Sequence, residues 1–330
     1  MILDGTLAQS IDAAVDALMA GELIGLPTET VYGLAADASN PDAVGKIFST
    51  KGRPSDHPLI VHVADATAVP QFAAEIPGFA QRLIDAFWPG PLTLILPRRE
   101  GVAQAAAGGH DSVGLRCPSH PVAHALLQAA AERGISGVAA PSANRFGRVS
   151  PTTAEHVASE FGPTLLVLDG GPCTIGIESA IIDCTRGAPV VLRPGQLTRQ
   201  EITRVAGVRV LTKDELSAPD PQAPGTLAAH YAPAARVRLM GAGELRTALD
   251  LLGADAKNIA IWSRTELKSA SSRIILRRMP DDAAATAQQL FAVLRGFDED
   301  GVSLIWIETP PDTPEWEGVQ DRLARAAASA

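Results

Sequence analysis

Apolar positions along this chain switch repeatedly between two spacings. Stretches with a helical repeat predict helices over residues 8–20, 41–50, 80–87, 121–133 and 153–161. Short apolar runs between them predict strands at 23–26, 58–63, 92–96, 113–116, 138–140, 165–169, 180–183 and 190–193. Interleaving of this kind predicts an α/β fold, a sheet with helices packed on it, and strands this many and this short point to antiparallel pairs in a mixed sheet. From 207 to 235 proline, alanine and aspartate replace the branched apolar residues, which predicts a linker. Alternation then resumes, with strands expected at 237–240, 259–262, 274–276 and 303–308 and helices at 243–252 and 282–298. The chain therefore divides into a first domain over 1–206, a linker over 207–235 and a smaller, doubly wound, Rossmann-like domain over 236–330. That last domain has no dinucleotide fingerprint, because Gly241-Ala-Gly243 lacks the third glycine, so a lid or interaction role is expected for it.

Composition narrows the class. With 330 residues and 46% hydrophobic content the chain can bury well-packed cores. No apolar run approaches the roughly 20 residues of a membrane helix, and residues 1–10 lack a secretory layout, so a cytoplasmic protein without membrane contact is expected. Cys117, Cys173 and Cys184 stand far apart without metal-ligand spacing, which argues against both a disulfide framework and a zinc site. The net charge of -9, with 13 Lys and Arg against 19 Asp and Glu in the first 200 residues, disfavours broad attraction to nucleic acid. An RNA-binding module built on Lys51, Arg53, Arg145 and Arg148 would need one concave basic face.

Candidate chemistry gathers at strand ends. Thr28 and Thr30 follow the first buried strand, where small hydroxyls suit a compact polar ligand. Lys51 and Arg53 flank Gly52 after a helix opened by Asn40 and Pro41. The pair forms either an oxyanion clamp or an ordinary solvated basic turn. His62 lies within an apolar strand, as a satisfied core residue or as a group orienting a carboxylate. Arg116 and Arg193 each end a strand, where either a substrate anion or an internal ion pair would hold them. Ser142 and Asn144 suit phosphate binding or a helix start. No P-loop and no Gly-x-Ser-x-Gly elbow occurs.

Seven ordered motifs carry a resemblance: PTETVYGL from residue 27, KGRPSDHPLIVH from 51, SVGLRCP from 112, APSANRFGRVSPT from 140, GIES from 176, LRPG from 192 and HYAP from 230. Through them the chain resembles the YrdC/Sua5 family in its two-domain Sua5 form. That resemblance implies a YrdC-like twisted mixed sheet followed by a Sua5 C-terminal domain. It implies synthesis of L-threonylcarbamoyladenylate from L-threonine, bicarbonate (or CO2) and ATP with Mg2+, the first step of N6-threonylcarbamoyladenosine formation in tRNA. By the same resemblance Thr30, His62, Arg116, the backbone at Ala140, and Ser179 hold threonine. Arg53, His57, Ser112, Ser142, Asn144, Ser150, Arg193 and the linker's Tyr231 meet ATP, and Lys51 with Arg53 forms the catalytic pair. It further implies a monomer, at most a weak tRNA contact, and a downstream threonylcarbamoyl-transferase machinery that consumes the product. Two departures stand out: Ala180 replaces the family's usual threonine after Glu178-Ser179, which removes a hydroxyl expected beside the threonine pocket, and residues 226–229 lack the usual methionine and basic residue.

Overall fold

The strand-rich first part of the chain forms one mixed sheet. The computed structural model describes residues 1–216, 223–225 and 230–328. Its contacts divide the chain into two units, Met1–Phe146 with Ser150–Thr226, and Gly147–Val149 with Leu227–Ala330. In the first unit the strands are β1 (Ile2–Asp4), β2 (Ile24–Leu26), β3 (Gly33–Asp37), β4 (Ile60–His62), β5 (Leu92–Pro97), β6 (Ser112–Arg116), β7 (Val138–Ala139), β8 (Leu166–Asp169), β9 (Ala180–Asp183), β10 (Val190–Arg193) and β11 (Leu211–Thr212). Among the described residues they pair in the order β1-β8-β2-β3-β7-β4-β6-β5-β9-β10-β11. Both senses occur: β2/β3, β3/β7, β4/β7, β5/β6 and β9/β10 are antiparallel, while β4/β6 and β5/β9 are parallel.

Alternation of side chains sorts this sheet into two faces. Val61, Leu94, Leu96, Val113, Leu115 and Ile182 point to one side and join Ile47, Leu83 and Ile84 from the covering helices in the larger core. The opposite side is covered at one end by helices Ala8–Met19 and Pro121–Glu132, whose Ile11, Val15, Leu126 and Leu127 pack on Ile24, Leu26, Val138 and Ala140. From β4 to β10 this same side changes character. It carries His62 and Arg116 in register, Ile60 opposite Gly114, Ile95 opposite Gly114, and Thr93 and Arg193 both paired with Ile181. A face whose apolar cover stops partway is where a site can form.

The helix Pro41–Lys51 delivers the basic pair. Asn40 accepts hydrogen bonds from the N–H groups of Asp42 and Ala43, a cap of about 1 kcal/mol, and Pro41 starts the helix where no N–H is needed. Gly52 ends it with φ 64°, and a Cβ there would meet nothing within 4 Å. The left-handed turn, not crowding, selects glycine at that point.

Two expectations need correction. The expected linker over 207–235 does not begin as one, because Leu211–Thr212 pairs in parallel with β10 and Val210 is buried, so its apolar Val-Leu step continues the first sheet. Residues 217–222 and 226–229 of that stretch, including the altered segment before His230, lie outside the described residues. The missing hydroxyl at Ala180 also takes another meaning. Ala180 pairs with Leu92 and packs in the larger core, on the face away from His62 and Arg116, so a methyl there fills the core and removes nothing from the candidate pocket.

In the second unit, strands β12 (Arg236–Met240), β13 (Ile259–Ser263), β14 (Ile275–Arg278) and β15 (Leu304–Glu308) are all parallel in the order β12-β15-β13-β14. Every residue of β13 is buried, the pattern of a strand covered on both faces. Leu245 and Leu249 of helix Ala242–Leu252 cover the side bearing Ile259, Ile261 and Trp306. Helices Ala283–Glu299 and Glu317–Ala327 complete the unit.

Candidate active site

The polar end of the exposed sheet face is held together by a buried ion pair. Arg116 Nη2 donates to Glu29 Oε1 at 2.6 Å, Nη1 donates to Thr30 Oγ1 at 2.8 Å and Nε donates to the Gly90 carbonyl at 3.2 Å. Thr30 Oγ1 lies 2.9 Å from Thr28 Oγ1, and Thr28 donates to the Val31 carbonyl. The turn after β2 therefore presents Glu29 and Thr30 to Arg116 as one unit. Burial opposes ionisation of Glu29, but the charge and hydrogen bond of Arg116 outweigh it and hold the carboxyl below its ordinary range. For Arg116 the ion-pair reading holds, with Glu29 as its partner.

His62 stands beside Arg116 across the β4/β6 pairing, and its Nδ1 is buried without a hydrogen-bond partner. Burial first, then the neighbouring Arg116 charge, pushes its pKa down to about 3. The ring is thus neutral at physiological pH. The unfolded chain takes up this proton near 6.5 and the folded chain only near 3, so the associated stability is fully present above 6.5 and lost as pH falls towards 3. We expect His62→Asn to flatten that acid limb, shrinking the loss of unfolding free energy between about pH 7 and about pH 5 by ~2 kcal/mol in urea titrations. An unchanged loss would count against a neutral buried ring.

A second cluster of polar groups surrounds the helix end. Lys51 Nζ is buried and donates to the carbonyls of Ser142, at 2.5 Å, and Asn144. Burial, then the Arg53 charge, lowers its pKa well below the ordinary ammonium range, against a smaller opposing pull from Glu160. Arg53 donates to the carbonyls of His57 and Pro58 and lies 5.7 Å from the Phe146 ring centre, which also meets the half-buried His57 edge-on. The clamp is therefore built into the fold, since Lys51 and Arg53 are 4% and 9% exposed. That excludes the solvated basic turn and takes Lys51 and Arg53 out of any open basic face, of which only Arg145 and Arg148 are exposed.

Between these clusters Ser179 and Arg193 form a bridge. Ser179 Oγ is 2.8 Å from Thr93 Oγ1 and accepts from Arg193 Nη2 at 3.3 Å, while Arg193 Nε donates to the Ser179 carbonyl. Gly195 makes this fit possible, because a Cβ there would lie 2.5 Å from the Ala180 nitrogen. Arg193 Nη1 also donates to the Pro224 carbonyl at 3.0 Å, fixing residues 223–225 over the sheet face. Ser150 is fully buried and donates to Glu178 Oε1 at 2.5 Å. A small notch with a cavity volume of about 10 Å³ lies on the same face, lined by Ile60, Thr93, Ser112, Gly114, Ile181 and Pro224.

The first unit thus brings Thr30, His62, Arg116, Thr93, Ser179 and Arg193 onto one face. Ser112 lies on the recess wall, and Ala140 is tied to β4 by its N–H donating to Ile60. Lys51 joins the loop carrying Ser142 and Asn144. Tyr231 lies in the second unit, 1% exposed, packed against Phe291 and His230 with Arg322 over its ring. Sequence reasoning gave no role to Glu29, Thr93, Glu178 or Pro224. Only Glu29 carried a usable signal, as a carboxylate between two threonines at a strand end. Among the described residues no group of three His, Cys, Asp or Glu side chains could hold a metal ion, and no helix is long and apolar enough to cross a membrane.

An α/β sheet with cations, hydroxyls and a recess on one partly covered face defines a small-molecule enzyme rather than a nucleic-acid clamp. The family model described as "Telomere recombination", of the Sua5/YciO/YrdC group, matches residues 16–195, and that of the threonylcarbamoyl-AMP synthase C-terminal domain matches 197–328. The chain is 38% identical to the threonylcarbamoyl-AMP synthase of Bacillus subtilis, covering 96% of this chain and 92% of that one. With the Schizosaccharomyces pombe threonylcarbamoyl-AMP synthase it shares 34% identity over 92% of its own length and 84% of the relative's. The crystal structure of Pyrococcus abyssi Sua5 complexed with L-threonine superposes with a TM-score of 0.87 at 36% identity, covering 97% and 94% of the two chains. The chain belongs to the Sua5/YciO/YrdC family, in the two-part form of the threonylcarbamoyl-AMP synthases.

Proposed function

We propose that this chain makes L-threonylcarbamoyladenylate from L-threonine, bicarbonate and ATP, releasing pyrophosphate, as the first step of N6-threonylcarbamoyladenosine formation in tRNA. One observation carries the reading: a buried polar cluster of Thr30, His62 and Arg116 shares its sheet face with the hydrogen-bonded chain Thr93–Ser179–Arg193, and Thr93 and Ser112 line a small recess there. Two substrates held on one face, with a shared arginine between them, is what coupling an amino acid to a nucleotide requires. The L-threonine complex of the Pyrococcus abyssi relative supports the amino-acid half.

The reaction runs in two bond-forming steps. The threonine ammonium first gives up a proton to solvent, and the free amine then adds to bicarbonate carbon with loss of water, giving a carbamate. A carbamate oxygen then attacks the α-phosphorus of ATP and pyrophosphate leaves. In this reading the nucleobase side of ATP lies against the apolar surface at Ile60 and Ile181, with Ser112 beside it. Arg193 exchanges a carbonyl partner for phosphate, and Lys51 and Arg53, with His57, Ser142, Asn144 and Ser150 nearby, offset charge on the phosphates. The carbonyls that now hold Lys51 and Arg53 keep those cations in place before substrate arrives, so little reorganisation is left for the reaction itself. Magnesium would enter with the nucleotide, held by its phosphates and by hydroxyl oxygens such as those of Ser142 and Ser150, while Lys51 and Arg53 would meet the phosphates rather than the metal. When bound it would neutralise phosphate charge. The product is a mixed carbamic–phosphoric anhydride, which implies a downstream transferase that accepts it and passes the threonylcarbamoyl group to tRNA.

The expected result is pyrophosphate release from the full chain that requires L-threonine, bicarbonate, ATP and magnesium together. Release that ignores threonine or bicarbonate, or no release at all, would sink the reading.

A further inference from the structure

We propose that Glu29 is the residue that takes the α-ammonium group of the amino-acid substrate. The proposal rests on the threonine reading above and adds a contact that reading does not supply. Glu29 and Arg116 are buried, with side chains 6% and 5% exposed, and Oε1 is committed to Arg116. The other oxygen, Oε2, is buried and makes no full hydrogen bond, although the backbone N–H groups of Glu29 and Ser119 also face the carboxylate and help to lower its pKa. A buried acceptor left unmet costs about 1–3 kcal/mol, which a stable core rarely tolerates. Beside it His62 Nδ1 is in the same condition. The His62 ring also faces the Ile60 and Val138 carbonyls, so the carboxylate oxygen is the atom that marks a place for a donor group.

Charge narrows the occupant. Glu29 and Arg116 cancel, so a ligand with net charge would leave an uncompensated charge in a buried site. A zwitterion does not. Arg116 has five N–H donors and the three bonds to Glu29, Thr30 and Gly90 do not exhaust them, which leaves capacity for a carboxylate. An ammonium brings three N–H donors, and Oε2 accepts one in a charge-assisted bond. The hydroxyls of Thr30 and Ser179 read the polar side chain, whereas Glu29 reads the amine. The consequence is selectivity: a hydroxy acid without the amine would leave Oε2 as it stands and forgo the charge-assisted bond. Discrimination against a ligand that leaves a buried group unpaired can be large, and we expect at least about 30-fold here.

The test is calorimetric titration of the full-length protein with L-threonine and with (3R)-3-hydroxybutanoate, which keeps the carboxylate and hydroxyl but lacks the amine. Wild type is expected to bind the hydroxy acid at least about 30-fold more weakly than threonine. Glu29→Gln is expected to lose a similar factor for threonine, to bring the two ligands within about threefold of each other, and to keep its affinity for a non-hydrolysable ATP analogue. Wild type binding both ligands within about threefold would overturn the proposal, and that comparison stands even if the variant does not fold. A folded Glu29→Gln that binds threonine like wild type, or that loses the ATP analogue equally, would overturn it as well, the second outcome marking Glu29 as scaffold. Absence of threonine binding by wild type would instead strike the underlying reading.

Discussion

Lys51→Met is expected to cut the rate of pyrophosphate release by about 10²–10³-fold while leaving a folded protein. Two opposing effects decide the stability side. Removing the ammonium removes a buried charge, whose cost is visible in the lowered pKa of Lys51. It also leaves the Ser142 and Asn144 carbonyls without their donor, at about 1–3 kcal/mol for each such group. The terms largely offset, so a net loss of about 1–3 kcal/mol in chemical unfolding is expected. Nothing offsets the loss in catalysis. A preorganised cation beside the phosphates acts without reorganising, and no other side chain can enter a position that is 4% exposed. For the same reason Lys51→Arg should fail to rescue, because the planar guanidinium does not fit a pocket shaped around a single nitrogen with two carbonyl partners. Turnover within about threefold of wild type in Lys51→Met would remove Lys51 from the catalytic pair.

How far such a site could be read from sequence depends on what held each residue in place. The strands Ala180–Asp183 and Val190–Arg193 were legible residue for residue, because branched apolar runs bounded by turns have few other solutions. The strand Gly33–Asp37 was not: its Gly-Leu-Ala-Ala-Asp has little strand preference, and pairing with neighbours on both sides imposes the conformation. The helix Glu317–Ala327 escaped because Arg322, fully buried and paired with Asp321, interrupts its apolar stripe. In the site, the hydroxyls and cations stood out as residue types at strand ends. Their partners did not. That Arg116 answers to Glu29, Ser179 to Thr93, and Arg193 to the carbonyl of Pro224 follows only from the folded sheet, which brings Thr93 of β5 to Ser179, 86 residues away, beside β9. The linker expectation failed for a related reason: composition over 207–235 was averaged across a short apolar step, Val210-Leu211, that one neighbouring strand was enough to capture.

The recess puts the nucleotide half of the reading at risk in a single position. Gly114 lies on its floor, opposite Ile60 on one strand and Ile95 on the other. A Cβ there would meet Ile60 Cγ1 and Thr93 Cγ2 at 3.6 Å, which is ordinary contact. Gly114→Ala should therefore fold and keep activity within about threefold, and it could gain ~0.5–1 kcal/mol from reduced backbone freedom in the unfolded chain. Gly114→Leu is a different case, because its added atoms have only the recess to occupy. It would overfill the small apolar notch between Ile60 and Ile181, at a stability cost of about 1–3 kcal/mol from overpacking. We expect this variant to lose about 10²-fold in kcat/KM for ATP, while threonine binding at Thr30, His62 and Arg116, two residues farther along β4 and β6, changes by less than about tenfold. Steady-state kinetics in ATP, with threonine titrated separately by calorimetry, measure the two halves independently. A Gly114→Leu enzyme with an unaltered KM for ATP would place the nucleobase elsewhere. Equal damage to both ligands would instead mean that the face responds as one packed unit, and the division into an amino-acid end and a nucleotide end would have to be given up.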